Sequence, residues 1–156
     1  MPRYLYNRGV TAVELLLVLS VLAIIFTIAI SPFSSFRDTQ SLNSAAIQIV
    51  SLLNEARSAT VASKESSQYG VHFEIGRAVY FKGTMFSEPS SYNKEIILDA
   101  SIEVSVITLE GGGNDVVFEQ LTGETSNYGS ITLEAKGSAG RQKKITVFRT
   151  GISTHN

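Results

Sequence analysis

From Leu15 to Phe36 the chain carries no charged side chain, and the inner part, residues 15–30, is apolar on every helical face. A helix of that length spans roughly 33 Å, against a hydrocarbon core of ~30 Å. A core helix of a small soluble domain would show a polar stripe, so the pattern predicts a helix that lives in lipid. Arg3 and Arg8 precede it with no acidic residue among them. That bias predicts a cytoplasmic N-terminus, with everything after Phe36 across the membrane. Pro32 lacks an N–H and predicts a kink in the helix.

Beyond Phe36 the pattern becomes amphipathic. Phe36, Leu42, Ala46, Ile47, Val50, Leu53, Ala56 and Arg57 recur at steps of three or four between polar residues, predicting a one-striped helix to about Ser63. Gln68-Tyr69-Gly70 closes it. The remainder reads as β: residues 69–75 and 78–82 around a two-residue turn at Gly76-Arg77, then 95–99 and 102–109. In the last of these, Ile102, Val104 and Val106 alternate against Glu103, Ser105 and Ile107. Residues 116–119, 130–136 and 144–149 complete about seven strands, the last two forming a hairpin around residues 137–140. The fold class is α+β, a long N-terminal helix packed on an antiparallel sheet. The organisation is a leader over 1–9, a membrane or filament-core helix over 10–36, and a globular head over 37–156.

Composition changes this picture little. Hydrophobic residues make up 44% and charged residues 17% of the 156, which excludes global disorder. No cysteine is present, so disulfides, Cys-based zinc sites and thiol nucleophiles are excluded. The chain has 13 basic and 14 acidic residues for a net charge of −1, and losing Arg3 and Arg8 with residues 1–9 leaves −3. Bulk charge therefore gives no nucleic-acid signature.

Two features separate the N-terminus from an ordinary secretory signal. Small-residue cleavage chemistry is missing after the apolar run, at Ser31-Pro32-Phe33, and Glu14 lies at the edge of the run itself. A carboxylate at membrane depth is costly enough to need a partner or a function. Gly9 has no side chain, so backbone there can enter a peptidase cleft closely.

Gly9-Val10-Thr11-Ala12-Val13-Glu14-Leu15 resembles the processing site of type IV prepilins and pseudopilins. The resemblance implies cleavage between Gly9 and Val10 by a membrane aspartyl peptidase, N-methylation of Val10, and Glu14 as the fifth residue of the mature chain. Glu14 would then pair with the Val10 amine of a neighbouring subunit and set axial register. Leu52-Leu53-Asn54-Glu55-Ala56-Arg57, Thr122-Gly123 and Thr150-Gly151-Ile152, with the strands between, are similar to the H-type minor pseudopilins of type II secretion and the FimT-like minor pilins. The implied role is a minor structural subunit of a pseudopilus or pilus. Its implied partners are prepilin peptidase, other pilin or pseudopilin subunits and an inner-membrane assembly platform. The implied location is the inner membrane, head periplasmic, and then the filament.

No enzymatic constellation, metal site or cofactor motif is present. His72 reads as a half-exposed strand residue with no carboxylate at ligand spacing, and Gly111-Gly112-Gly113 lacks the strand and helix of a nucleotide fold. Lys136, Arg141, Lys143, Lys144 and Arg149 form a basic run without an acidic residue. The rival reading is accordingly a DNA-binding minor pilin contacting phosphates through Arg141, Lys143, Lys144 and Arg149. Against it, the GRxR pattern that some FimT-like tails carry is missing at Gly151-Ile152-Ser153-Thr154, and Lys143 and Lys144, as neighbours in a strand, point to opposite faces. A third reading is a membrane-anchored binding domain that is never processed.

Overall fold

A computed structural model describes residues 9–137 and 140–156; for residues 28–35 it describes the helical backbone alone. Residues 1–8 of the expected 1–9 leader, with Arg3 and Arg8, lie outside the described residues, as does the kink expected at Pro32. Two compact units result, Met1–Phe36 and Arg37–Asn156. Helix α1 runs Ala12–Val61. Eight strands follow: β1 Tyr69–Glu74, β2 Arg77–Lys82, β3 Lys94–Ile97, β4 Ile102–Leu109, β5 Asp115–Val117, β6 Gly129–Ala135, β7 Gln142–Val147 and β8 Ser153–His155.

The strands form two antiparallel sheets rather than one, ordered β3-β2-β1-β5 and β4-β6-β7-β8. A single core joins both sheets to the second half of α1. The helix contributes Leu42, Ala45, Ala46, Ile49, Leu52, Leu53 and Ala56. Sheet one contributes Tyr69, Val71, Phe73 and Val116, and sheet two Ile131, Leu133, Ile145 and Val147. Every one of these residues lies in the 37–156 unit, so the head closes its own core.

The helical stripe is rotated from its predicted position. Ile47 is 50% exposed and Phe36 70% exposed, while Ala45, Ile49 and Leu52 are buried instead. An alanine-rich helix offers apolar side chains on adjacent faces, and the close approach of two sheets selects the narrower Ala45–Ala46–Ile49 face. The helix also stops at Val61, before Gln68-Tyr69-Gly70. Its exit runs through Ser63, Glu65 and Ser66, all left-handed non-glycine residues with φ of 48–51°. Buried Thr60 then receives β1: Tyr69 N–H donates to Thr60 Oγ1 at 2.9 Å.

Two registers differ from expectation. The β1–β2 turn is Ile75-Gly76, because Glu74 pairs with Arg77. In β4 the pairing slips between Val104 and Val106, a bulge at Ser105. A one-residue insertion reverses the alternation. Val106 is therefore 54% exposed, while Ile107 comes opposite buried Ile131 and Leu109 turns inward.

Candidate functional site

Gly9, Val10 and Thr11 are non-helical and exposed, and α1 begins at Ala12. The start is fixed by Thr11. Its Oγ1 accepts from the Glu14 N–H at 3.2 Å, while its carbonyl accepts the first helical bond from the Leu15 N–H at 3.1 Å. Thr11-Ala-Val-Glu14 is thus a Thr-x-x-Glu cap, a signal present in the sequence that the expectations above did not use. A Cβ built on Gly9 would meet nothing within 4 Å. The fold places no demand for glycine at position 9. Glu14 stands exposed in the first helical turn, where a carboxylate complements the helix dipole.

From Leu15 to Phe26 every large apolar residue is exposed, by 42–64%. Ser20 within this stretch and Thr27 just after it turn back on their own helix: Ser20 Oγ donates to Leu16 O and Thr27 Oγ1 to Ala23 O, each at 2.8 Å. Each hydroxyl is thereby satisfied within the helix itself. Among the described residues, no helix is long and apolar enough to cross a membrane. The apolar run continues into residues 28–35, whose side chains lie outside that description.

The head disperses the basic run. Arg141 Nη1 lies 3.7 Å from Asp38 Oδ2, and Lys136 Nζ 3.8 Å from Glu103 Oε2. Lys143 is half-buried opposite Leu133, whereas Lys144 is exposed opposite Thr132, the opposite-face placement that alternation predicts. Lys144 and Arg149 instead flank a shallow groove of about 350 Å³ with Tyr128 and Phe148.

A second charged cluster went unforeseen, because its members are separated in sequence and meet only through the β1–β2–β3 register. The Arg77 guanidinium donates to Glu74 at 2.8 and 3.0 Å, to Glu88 at 3.0 Å twice, and to Glu95 at 3.1 Å. These bonds hold the Glu74 carboxyl below its ordinary value and raise Arg77. They border a cleft of about 510 Å³ under the loop of residues 83–93. His72 does have a carboxylate partner, contrary to expectation. Asp115, directly opposite on β5, bonds its Nδ1, Glu74 lies 3.6 Å from Nε2, and the Phe86 ring stacks on the imidazole at 4.0 Å. Among the described residues no three His, Cys, Asp or Glu side chains are grouped to hold a metal.

No family model and no curated protein sequence matches the chain. Solved structures do. The minor pseudopilin EpsH from the type 2 secretion system of Vibrio cholerae superposes with a TM-score of 0.57 at 13% identity, over 74% of this chain and 96% of that one. The type IV minor pilin FimU of Pseudomonas aeruginosa superposes with a TM-score of 0.58 at 13% identity, over 78% of this chain and 92% of that one. The fold is pilin-like.

Within this pilin-like fold the residues that carried the finer resemblance meet in space. Arg57 Nε donates to Gly123 O at 3.1 Å. A Cβ on Gly123 would come 2.6 Å from Val61 Cγ2, and one on Gly151 would come 1.9 Å from Gly123 O and 2.8 Å from Arg57 Nε. Helix, β5–β6 loop and β7–β8 turn are therefore clasped at a point where only glycine fits. Thr125 tightens it, its N–H donating to Arg149 O at 2.9 Å and its Oγ1 to Val117 O at 2.7 Å.

Proposed function

We propose that the chain is a minor structural subunit of a type II secretion pseudopilus or a type IV pilus, and not an enzyme. It is made as a precursor whose basic leader keeps the N-terminus in the cytoplasm, cut between Gly9 and Val10 by prepilin peptidase and methylated on Val10. The apolar helix anchors it in the inner membrane with the head in the periplasm. An assembly platform then moves it among other pilin or pseudopilin subunits, where Glu14 pairs with a neighbour's Val10 amine. One observation carries the reading. A pilin-like head follows, in one chain, an exposed non-helical Gly9–Val10 bond placed just ahead of a helix apolar on all faces.

Two features of the chain support the reading. A non-helical, exposed bond is open to a peptidase cleft, and Gly9 satisfies no need of its own fold. Pairing of Glu14 with an amine relieves two charges that would otherwise be stranded in an apolar bundle. The DNA-binding alternative draws on four cations, but Arg141 lies beside Asp38 and Lys143 is half-buried on the core-facing side.

The test is the intact mass and N-terminal sequence after co-expression with a prepilin peptidase. The expected product begins at Val10 and carries one added methyl group. A product still beginning at Met1 would reduce the chain to an unprocessed anchored domain.

A further inference from the structure

The start of α1 depends on one side chain. Thr11 Oγ1 accepts from the Glu14 N–H at 3.2 Å, and the Thr11 carbonyl takes the first helical bond, from the Leu15 N–H at 3.1 Å. The two carbonyls before it stay out of the ladder. Among the described residues no backbone N–H donates to Gly9 O or to Val10 O. Val10 and Thr11, both non-helical, thus separate the Gly9–Val10 bond from the first helical residue, Ala12.

Without an oxygen on the side chain at position 11, the helix start has two ways to move. Inward, Ala12 and Val13 are among the poorest N-caps, and the N–H groups so released lie beside an apolar run that offers no acceptor. Outward, Gly9 is a cap about as good as threonine. A start capped by Gly9 winds Val10, residue 11 and Ala12 into the first turn. It also draws the Gly9 carbonyl onto the Val13 N–H four residues on, as the first bond of the ladder. That carbonyl belongs to the bond to be cut. Hydrolysis adds water to its carbon while its oxygen takes a hydrogen bond from the peptidase, and the proton passes to the departing Val10 nitrogen. A carbonyl already bonded along a helix axis is closed to that chemistry until the turn unwinds.

We propose that Thr11 is a positioning residue for processing: its hydroxyl fixes the helix start at Ala12 and thereby keeps the Gly9–Val10 bond in the unwound form that a peptidase takes. The inference rests on the reading that the chain is cut after Gly9. Thr11 acts through the backbone and not by contact with the reacting atoms, so its effect is one of population. A peptidase that accepts only the unwound form has its apparent affinity lowered by the fraction of chains in that form. Loss of the cap therefore raises KM and leaves kcat at saturation unchanged.

The test uses the full-length precursor in detergent micelles with purified prepilin peptidase, and compares substitutions that separate capping from shape. Thr11→Val keeps the outline of the side chain and loses the cap. Thr11→Asn changes the outline and keeps a cap, as Thr11→Ser does with little change of shape. Thr11→Val and Thr11→Ala are expected to raise KM by ~threefold to tenfold with kcat within about twofold, whereas Thr11→Ser and Thr11→Asn are cut like wild type. The carbon-13 shift of the Gly9 carbonyl is expected to move toward its helical value in the valine and alanine variants alone.

If wild type is cut after Gly9 and Thr11→Val is cut as readily, the positioning role falls and the filament reading stands. A slow Thr11→Asn beside a fast Thr11→Val overturns the role in favour of a peptidase that reads the shape of the side chain. A slow Thr11→Val whose loss lies in kcat, with the Gly9 carbonyl shift unmoved, overturns it as well, because the hydroxyl then acts in the peptidase and not in the helix. Wild-type precursor left whole by the peptidase removes the filament reading, and this role with it.

Discussion

Gly151 is the residue on which the most backbone converges. With φ at +76° and the Gly123 carbonyl 1.9 Å from where a Cβ would stand, it fits neither the conformation nor the volume of any other side chain. Gly151→Ala is expected to destabilise the head by roughly 2–4 kcal/mol, since strain and overpacking act together and the obstacle is backbone rather than a flexible side chain. Urea unfolding of residues 37–156 measures this, and a shift under about 0.5 kcal/mol would show that the clasp rearranges freely. The sequence contained Arg57, Gly123 and Gly151, but not their meeting, which joins positions 66 residues apart in the case of Arg57 and Gly123. Gly9 presents the opposite case. Its expected role comes from a local motif alone, and nothing in the structure around it requires a glycine.

At the scale of elements, periodicity found the helix and seven of the eight strands, and failed where tertiary contact overrides local pattern. β8, Ser153–His155, is a short segment with no alternation, ordered by pairing with β7. The β4 bulge cannot be read from a run of alternating residues, because its phase is set by β6. Division into two sheets is likewise a property of pairing partners rather than of any strand.

The Arg77 cluster joins the β1–β2 hairpin to β3 and the 83–93 loop, and it sets a pH dependence. Hydrogen bonding to Arg77 holds Glu74 below its usual 4.5, and bonding to Lys82 does the same for Glu65. The backbone and hydroxyl of Ser101 hold Asp99 below 3.8. Groups depressed in the folded state bind fewer protons there than in the unfolded chain. Their stabilisation is complete above the unfolded values and is lost as pH falls through the folded ones. Arg77→Met reverses the sign locally, leaving Glu74, Glu88 and Glu95 facing one another without a cation, an arrangement that protonation relieves. The melting temperature of this variant is expected to lie well below wild type at about pH 7, with the gap narrowing toward about pH 4. A gap independent of pH would mean that Arg77 acts through packing alone.

For the whole molecule, the proposed role in assembly turns on Glu14. Glu14 sits in the first turn of a helix whose large apolar residues from Leu15 to Phe26 are all exposed, and Thr11 caps that turn through the Glu14 backbone N–H rather than its carboxylate. Removing the carboxylate leaves the cap, the apolar run and the exposed Gly9–Val10 bond as they were. Glu14→Ala and Glu14→Gln are therefore both expected to insert and to be cut after Gly9, yet to enter filaments at least ~tenfold less than wild type. The glutamine variant matters more, because it keeps the side chain's size and hydrogen-bonding capacity and loses only the charge that a neighbour's Val10 amine would meet. A buried amine deprived of its counter-charge is worse off than a pair that was never formed, so the defect belongs to assembly and not to folding. Cleavage is scored by N-terminal sequencing and incorporation by the protein recovered in sheared filaments. Normal incorporation of Glu14→Gln would assign register to the helix surface and the head contacts, and would leave Glu14 without a role in assembly.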